Sequence, residues 1–214
     1  VTIAEVLRSA GYATLMSGKW HVGGEYAMER AAQQAVMGDA GHPLPTQRGF
    51  DQFYGMLSGA GSYFQPPTLC EGSSLIEPAS PEYYFTDAVS ERAIDQIQGA
   101  HLEGKPFFLY LAYTAPHWPL HALPEDIADY DASYCDGWDA VRTARHEELT
   151  ASGILDRSWA ISPRDPDSYP FSESSDPEWE RMRMAVYAAQ VQRMDRGVGA
   201  VVENLRSLGE LENT

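Results

Sequence analysis

Three side chains that can carry positive charge follow apolar segments of the sequence. Lys19 and His21 come after residues 12–16, and His117 comes after the run from residue 107 to 112. Both apolar segments are predicted strands, and ligands of open α/β sheets bind beyond the carboxyl ends of the strands. A lysine and two imidazoles in one crevice would form an anion site in which the histidines can also transfer protons near neutral pH. The spacing therefore indicates a candidate anion site.

Other catalytic patterns are incomplete. A single lysine in a glycine-rich loop is more often exposed to solvent, and a single histidine after a strand more often has a packing role. The candidate anion site therefore requires Lys19, His21 and His117 to lie close together. The glycine-rich residues 17–24 lack the Walker pattern of a phosphate loop. His146 lacks the second histidine of a zincin helix, and Pro119 opposes a helix that would put His117 and His121 on one face. A zinc site is therefore not indicated, and no GxSxG nucleophile motif is present.

The amino-acid composition and charge of the chain favour some classes of protein and argue against others. The chain has 214 residues, with 15 Lys or Arg against 31 Asp or Glu, which gives a formal net charge of −16. A hydrophobic content of 43 % is typical of a globular protein with a sizeable core. This acidity, without a basic cluster, argues against binding to nucleic acid or to anionic lipid. No apolar run approaches the roughly 20 residues of a membrane span, and the first ten residues do not resemble a signal peptide.

The two cysteines do not indicate whether the protein resides in an oxidising or a reducing cellular compartment. Cys70 and Cys135 occur in no CxxC or zinc-type spacing. They could form a disulfide or remain two free thiols, and both possibilities stay open.

The first elements expected to position the site lie near the start of the chain. Thr2 and Glu5 form a capping box that predicts a helix ending at Gly11. A short strand is predicted over residues 12–16. The following residues 17–24 are predicted to form a glycine-rich loop.

The middle of the chain is predicted to contain a second helix and a second strand of the α/β fold. Residues 38–81 are rich in Gly, Pro and Ser without a period, and predict irregular surface structure. A helix is predicted over 87–98 with Thr86 as its N-cap. The uniformly apolar residues 107–112 predict a strand buried on both faces of a parallel sheet.

The C-terminal third is predicted to be mainly helical. A helix is expected over 136–152, a long loop over 162–175, and a final helix that begins at Asp176-Pro177 and ends at Gly209. Apolar residues spaced three and four apart predict that one face of the final helix packs on the sheet. These residues are Tyr187, Val191, Met194, Val198, Val201, Leu205 and Leu208.

A series of short motifs occurs in a fixed order along nearly the whole chain. They are Gly11-Tyr12-Ala13-Thr14, Gly18-Lys19-Trp20-His21, Arg48-Gly49-Phe50-Asp51, Tyr84-Phe85-Thr86-Asp87, Ala115-Pro116-His117 and Gly137-Trp138-Asp139. Together they resemble the sulfatase family, the arylsulfatase-like enzymes of the alkaline phosphatase superfamily. The Gly-Lys-Trp-His and Ala-Pro-His elements are specific, and the others support them. The resemblance implies an alkaline-phosphatase-like α/β fold, with a mostly parallel sheet flanked by helices.

The resemblance also implies roles for the three cationic residues. Lys19 would bind sulfate oxygens, and His117 would stand by the leaving-group oxygen as a substrate-binding donor or general acid. His21 would lie beside the nucleophile and assist turnover of the covalent intermediate. Preorganised cations in a dry crevice suit the charge that develops on a transferring sulfuryl group. Arg48, Asp51 and Asp87 match positions expected to form caps and loop hydrogen bonds.

The chain departs from the family pattern at the nucleophile and the metal. The family's formylglycine comes from a C/S-x-P-S-R element, and neither Cys70 nor Cys135 lies in one. The calcium ligands that the resemblance implies would precede Val1 or follow Thr214. Residues 1–214 are therefore expected to be the central part of a sulfatase catalytic domain, with no metal ligands and no activity alone.

These observations predict that the complete protein is a formylglycine-dependent, calcium-assisted sulfuric ester hydrolase acting on an aryl or carbohydrate sulfate. Two alternatives stay open: a phosphonate monoester or phosphodiester hydrolase of the same superfamily, and a non-catalytic sulfatase-like protein that binds anions. Many family members are exported and others are cytoplasmic, so a periplasmic or secreted location is favoured without being decided. The identity of the sulfate ester and the oligomeric state stay open.

Overall fold

A computed structural model of the chain describes residues 1–130 and 132–214. They form two compact units, Val1–His121 with Val191–Thr214, and Ala122–Gln190. The first unit contains strands β1 (Ala13–Lys19), β2 (Gln52–Met56), β3 (Leu69–Glu71), β4 (Ser74–Leu75) and β5 (Phe107–Ala112), with helices α1 (Ile3–Ser9), α2 (Arg30–Val36) and α3 (Phe85–Leu102). The second contains α4 (Pro124–Ala128) and α5 (Gly137–Ala151), and α6 (Pro177–Leu208) begins in the second unit and ends in the first.

The described strands form one mixed sheet in the order β4-β3-β2-β1-β5. β1 pairs in parallel with β2 and β5, whereas β3 pairs antiparallel with β2 and β4. Gly18 of β1 lies opposite both Gly55 of β2 and Ala112 of β5. A β-carbon on Gly18 would be 2.0 Å from the Ala112 carbonyl oxygen, so this row of the sheet requires glycine. The predicted α/β fold, with a sheet flanked by helices, is confirmed, but the sheet is mixed rather than mostly parallel, with two parallel and two antiparallel pairings.

Strand β1, which lies between β2 and β5, separates two hydrophobic clusters. One contains Met16, Trp20, Phe50 and Phe53, together with Ala4 of α1. The other joins α3 to the C-terminal part of α6, through Ala93, Ile97, Val201 and Leu205. Burial of these apolar side chains on both sides of the sheet fixes the position of β1. The last residue of β1 is Lys19, the first candidate site residue.

The prediction for the first 81 residues is right at α1, and its later bounds need correction. The capping box is present: the Glu5 amide donates to Thr2 Oγ1, and Glu5 Oε2 accepts from the Thr2 amide. The strand predicted over 12–16 instead runs from Ala13 to Lys19, because Gly18 permits the close approach to β5. Residues 38–81 are not all irregular, since β2, β3 and β4 pair there. These strands depend on long-range pairing that a local pattern does not encode.

Two further helix and strand predictions need correction. α3 begins at Phe85, so Thr86 is a buried residue of the first turn and not the N-cap. β5 has the predicted bounds but is half-buried, because it is an edge strand of the described sheet, and Tyr110 is 47 % exposed. On α6, Val201 and Leu205 are buried as predicted.

The rest of the apolar stripe on α6 is not a continuous core face. Its exposed members are Tyr187, Val191 and Val198. Smaller residues of the same helix, Ala185, Ala188 and Ala189, are buried instead. The helix ends are as predicted: Asp176 Oδ1 caps the helix by accepting from the Trp179 amide, and Gly209 follows with a positive φ of 75°.

The second unit is organised by aromatic contacts. The predicted helix over 136–152 is present as α5, and its Trp138 ring packs edge-on against Tyr169 and Phe171 at centroid distances of 5.4 and 5.0 Å. The predicted loop over 162–175 contains one 3₁₀ turn, Phe171–Glu173. Within the described residues no helix has the length and apolar character of a membrane span.

The two cysteines are free thiols, with Cys70 buried and Cys135 exposed. The hydrogen bonds expected of Arg48, Asp51 and Asp87 are present. Arg48 Nε donates to Glu5 Oε1 at 3.1 Å, Asp51 Oδ2 accepts from the Thr14 hydroxyl at 3.0 Å, and Asp87 pairs with Arg193.

Candidate active site

Lys19 is the last residue of β1 and lies at the carboxyl end of the parallel strands. It is opposite Met56 of β2 and directly follows the tight Gly18 row. Lys19 lines an open cavity of about 530 Å³ together with His21, Tyr113, Ala115 and Met194. Within residues 1–130 and 132–214, its ammonium group has no hydrogen-bond or ion-pair partner. The charge of Lys19 is therefore available to an anion in this cavity.

His21 turns the chain away from the sheet. Its amide still donates to the Leu57 carbonyl at 3.2 Å, but its φ of 44° places it in the left-handed region that non-glycine residues seldom adopt. The ring packs over Gly59, where an added β-carbon would lie 2.5 Å from His21 Nε2. Glu25 Oε1 is 4.0 Å from the same nitrogen. Unusual backbone conformations of this kind concentrate at functional sites.

His117 is held by the turn that follows β5. Its amide donates to the Thr114 carbonyl at 2.9 Å, and its carbonyl accepts from the Tyr63 hydroxyl at 2.9 Å. Nδ1 lies 2.6 Å from the Trp118 carbonyl oxygen. Because a carbonyl only accepts, Nδ1 carries the proton, which leaves Nε2 to interact with a ligand.

The structure brings these residues together in two cavities that share His21. The second cavity, of about 390 Å³, is lined by His21 and His117. Lys19 lines the first cavity and His117 lines the second, so His21 occupies the central position. Lys19, His21 and His117 are predicted to line one crevice, whereas in the structure they line two cavities that both include His21.

Several residues of the second cavity are not predicted from the sequence. Glu25, Tyr26 and Trp118 line it, and the Trp118 side chain is 68 % exposed. Ser58 and Thr68 also line it, and the Thr68 hydroxyl donates to Ser58 Oγ at 2.9 Å. Glu25 follows His21 by four residues, a spacing that could have suggested it. Ser58 and Thr68 lie in the segment interpreted as irregular, where no local signal distinguishes them.

A metal centre is not formed by the residues described. Calcium takes six to eight oxygen ligands, mainly from carboxylates and carbonyls. Among residues 1–130 and 132–214, no three His, Cys, Asp or Glu side chains are grouped in a way that could hold a metal ion. The described residues therefore provide no calcium site of their own, and no chemical step is assigned to a metal here.

The chain is similar to known sulfatases along its whole length. The sulfatase family model matches residues 1–214. An uncharacterized sulfatase of Schizosaccharomyces pombe is 30 % identical over 99 % of the chain and 39 % of its own length. The arylsulfatase of Klebsiella aerogenes is 30 % identical over 100 % of the chain and 45 % of its own length. The chain thus spans less than half the length of these relatives.

Comparison with a solved structure also shows similarity along nearly the whole chain. Ps i-CgsB, crystallised in complex with k-i-k-neocarrahexaose, is 27 % identical and superposes with a TM-score of 0.58 over 97 % of the chain and 37 % of its own length. Sequence and fold agree with the motifs around Lys19, His21 and His117. The chain belongs to the sulfatase family.

Proposed function

We propose that the complete protein is a sulfuric ester hydrolase that releases sulfate from a sulfate monoester. The observation that carries this proposal is the shared position of His21, which lines one cavity with Lys19 and another with His117. Membership of the sulfatase family supports the assignment. Residues 1–214 would be the central part of its catalytic domain, with the formylglycine nucleophile and calcium ligands supplied by other segments.

Lys19 is assigned to binding sulfate oxygens. No partner among the described residues neutralises its ammonium group, and the cavity is partly enclosed by Tyr113 and Met194. A fixed cation stabilises negative charge more strongly in such a site than in water. The whole chain has a net charge of −16, so the composition does not by itself account for such a cation in this cavity.

His117 is assigned to the leaving-group oxygen. The contact between its Nδ1 and the Trp118 carbonyl fixes the orientation of the ring. Nε2 is then directed to the second cavity, where it accepts a hydrogen bond in the neutral ring and donates one in the doubly protonated ring. In the protonated state, Nε2 would transfer its proton to the departing alcohol or phenol as a general acid.

His21 is assigned to proton transfer beside the reacting group. Its left-handed backbone turns the ring toward both cavities, and Gly59 leaves room for the ring. The Glu25 carboxylate, 4.0 Å from His21 Nε2, would help to orient the ring.

The proposed substrate is an aryl or carbohydrate sulfate. Trp118 presents an exposed indole beside His117 at the second cavity, and a flat hydrophobic ring can pack on such a surface. The complex of Ps i-CgsB with k-i-k-neocarrahexaose supports a carbohydrate for that relative, and we extend this class to the present protein. An exported location, periplasmic or secreted, is part of the same proposal.

The test is to produce the complete protein with its formylglycine-generating system and measure sulfate release from aryl and carbohydrate sulfates. Lys19→Ala and His117→Ala should each lower kcat/KM by about 100-fold or more. Lys105→Ala is the matched control, since this exposed lysine pairs only with Glu103 among the described residues, and it should retain full activity.

Three results would contradict the proposal. Faster turnover of phosphonate monoesters or phosphodiesters than of any sulfate would favour the related hydrolase activity. Anion binding without turnover would favour a non-catalytic protein. Normal rates in both active-site variants would remove the assignment of the site.

A further inference from the structure

His42 has an acceptor at each of its ring nitrogens. Nδ1 is 3.0 Å from Asp39 Oδ1, and Nε2 is 3.2 Å from the carbonyl oxygen of Glu25. A carboxylate and a carbonyl both accept hydrogen bonds and donate none. A neutral imidazole has one N–H, so only the doubly protonated ring can make both hydrogen bonds.

The ring supports the loop that carries His21. The Gly24 amide donates to the Gly41 carbonyl at 2.6 Å, and a β-carbon on Gly24 would lie 2.4 Å from His42 Nε2. The Tyr26 ring packs edge-on against the His42 ring at 5.1 Å. The side chain of His42 is only 18 % exposed under these contacts.

Glu25 connects His42 to the active site. Its backbone carbonyl accepts from His42, and its carboxylate lies 4.0 Å from His21 Nε2. Glu25 and Tyr26 also line the second cavity. Movement of the Glu25 backbone would therefore change the surroundings of His21.

We infer that protonated His42 is a positioning residue that fastens residues 21–26 to the 39–42 turn and thereby orients His21. When His42 loses a proton, Nδ1–H remains with the Asp39 carboxylate and Nε2 becomes an acceptor. The lone pair of Nε2 then faces the Glu25 carbonyl oxygen, and the repulsion releases the loop. The effect on turnover rests on the proposed function, whereas the attachment of the loop does not.

The charges around the ring determine the direction of the pH dependence. The hydrogen bond with the Asp39 side chain is the main cause that raises the pKa of His42, and the same bond lowers the pKa of Asp39. The other titratable groups that face the ring are Glu25 and Tyr26, and burial raises the pKa of the Tyr26 phenol. The attachment is therefore complete at low pH and is lost as pH rises through the pKa of His42.

The first test follows the ring nitrogens of His42 and the amides of Gly24 and Glu25 by NMR across a pH titration of the complete chain. We expect one midpoint for all of these signals. Asp39→Asn keeps an acceptor oxygen but removes the charge, so the common midpoint should move to lower pH. Glu210→Gln, which removes the carboxylate partner of His101, should leave that midpoint unchanged.

Two outcomes would overturn the inference. One is titration of His42 without any change at Gly24 and Glu25. The other is an unchanged midpoint in Asp39→Asn. Both measurements are independent of activity, so they decide the attachment of the loop even if the complete protein hydrolyses no sulfate ester.

The second test measures the pH profile of kcat in the complete enzyme. The alkaline limb should move to lower pH in Asp39→Asn, in parallel with the NMR midpoint. His42→Gln places one donor nitrogen and one acceptor oxygen where the protonated ring has two donor nitrogens, and it should lower kcat by about 10-fold. An alkaline limb that does not move in Asp39→Asn would remove the link to His21.

Discussion

Gly197 of α6 lies directly against Ser90 of α3. A β-carbon on Gly197 would be 2.2 Å from Ser90 Oγ and 2.7 Å from the Tyr113 hydroxyl oxygen. These two hydroxyl groups hydrogen-bond to each other at 2.7 Å. The absence of a side chain at Gly197 therefore allows α6 to approach both groups closely.

Two glycines of α6 should respond oppositely to the same substitution. Gly197→Ala should reduce the free energy of unfolding by about 1–3 kcal/mol, because the methyl group clashes with Ser90 and Tyr113. Gly199 has no atom within 4 Å of the added position, so Gly199→Ala should stabilise by about 0.5–1 kcal/mol through helix propensity. Urea unfolding measures both, and changes of the same sign would contradict this packing.

The ion pair between Asp87 and Arg193 should contribute measurably to stability. Arg193 donates two hydrogen bonds of 2.7 Å to Asp87, and both side chains are mostly buried. Asp87→Asn should lower the free energy of unfolding by about 1–2 kcal/mol, because the guanidinium loses its charged partner. The exposed pair Lys105–Glu103 is the control, and Glu103→Gln should change stability by less than about 0.5 kcal/mol. Equal effects of the two substitutions would count against the assignment.

The two cysteines should differ in reactivity. Burial raises the pKa of the Cys70 thiol to about 12, whereas Cys135 is exposed. Because the thiolate is the reactive form, a thiol reagent at pH 8 should modify one cysteine in the folded chain and two in denaturant. Cys135→Ser should abolish the fast reaction, and Cys70→Ser should preserve it. Fast modification of Cys70 in the folded chain would contradict its burial.

Glu5 should make stability depend on acidic pH. The hydrogen bond from the Thr2 amide, followed by that from Arg48, lowers the pKa of Glu5 in the folded chain. A lowered folded pKa gives stability that is present above the unfolded pKa and is lost as pH falls through the folded value. Glu5→Gln should therefore reduce Tm at pH 6 more than at pH 3. Glu82→Gln, at an exposed position, is the control, and an effect of Glu5→Gln independent of pH would exclude this linkage.

Elements with strong local signals could be predicted from the sequence. The Thr2 and Glu5 capping box identifies α1, the apolar run identifies β5, and Asp176-Pro177 identifies the start of α6. In each case the hydrogen bonds or hydrophobic periodicity that define the element are contained within a few residues. Lys19, His21 and His117 could likewise be singled out, because each follows a strand and matches a family motif.

The remaining features depend on distant partners. Gly18 looks like a loop residue in the sequence, yet it belongs to β1 because the neighbouring strand approaches it closely. Val198 has the spacing of a core residue but is exposed, since periodicity does not reveal which part of a helix face has a partner. The contact of His42 with Glu25 crosses 17 residues and follows from no pattern in the sequence.

The division of the first unit into two stretches affects how the protein folds during synthesis. Ala93 and Ile97 of α3 form a hydrophobic cluster with Val201 and Leu205, whose stretch begins after the intervening residues Ala122–Gln190. At about 5–20 residues per second, the ribosome needs roughly 3–14 s to translate that intervening unit. During this interval the apolar face of α3 lacks its α6 contacts, which makes the nascent chain a target for chaperones that bind exposed hydrophobic surface.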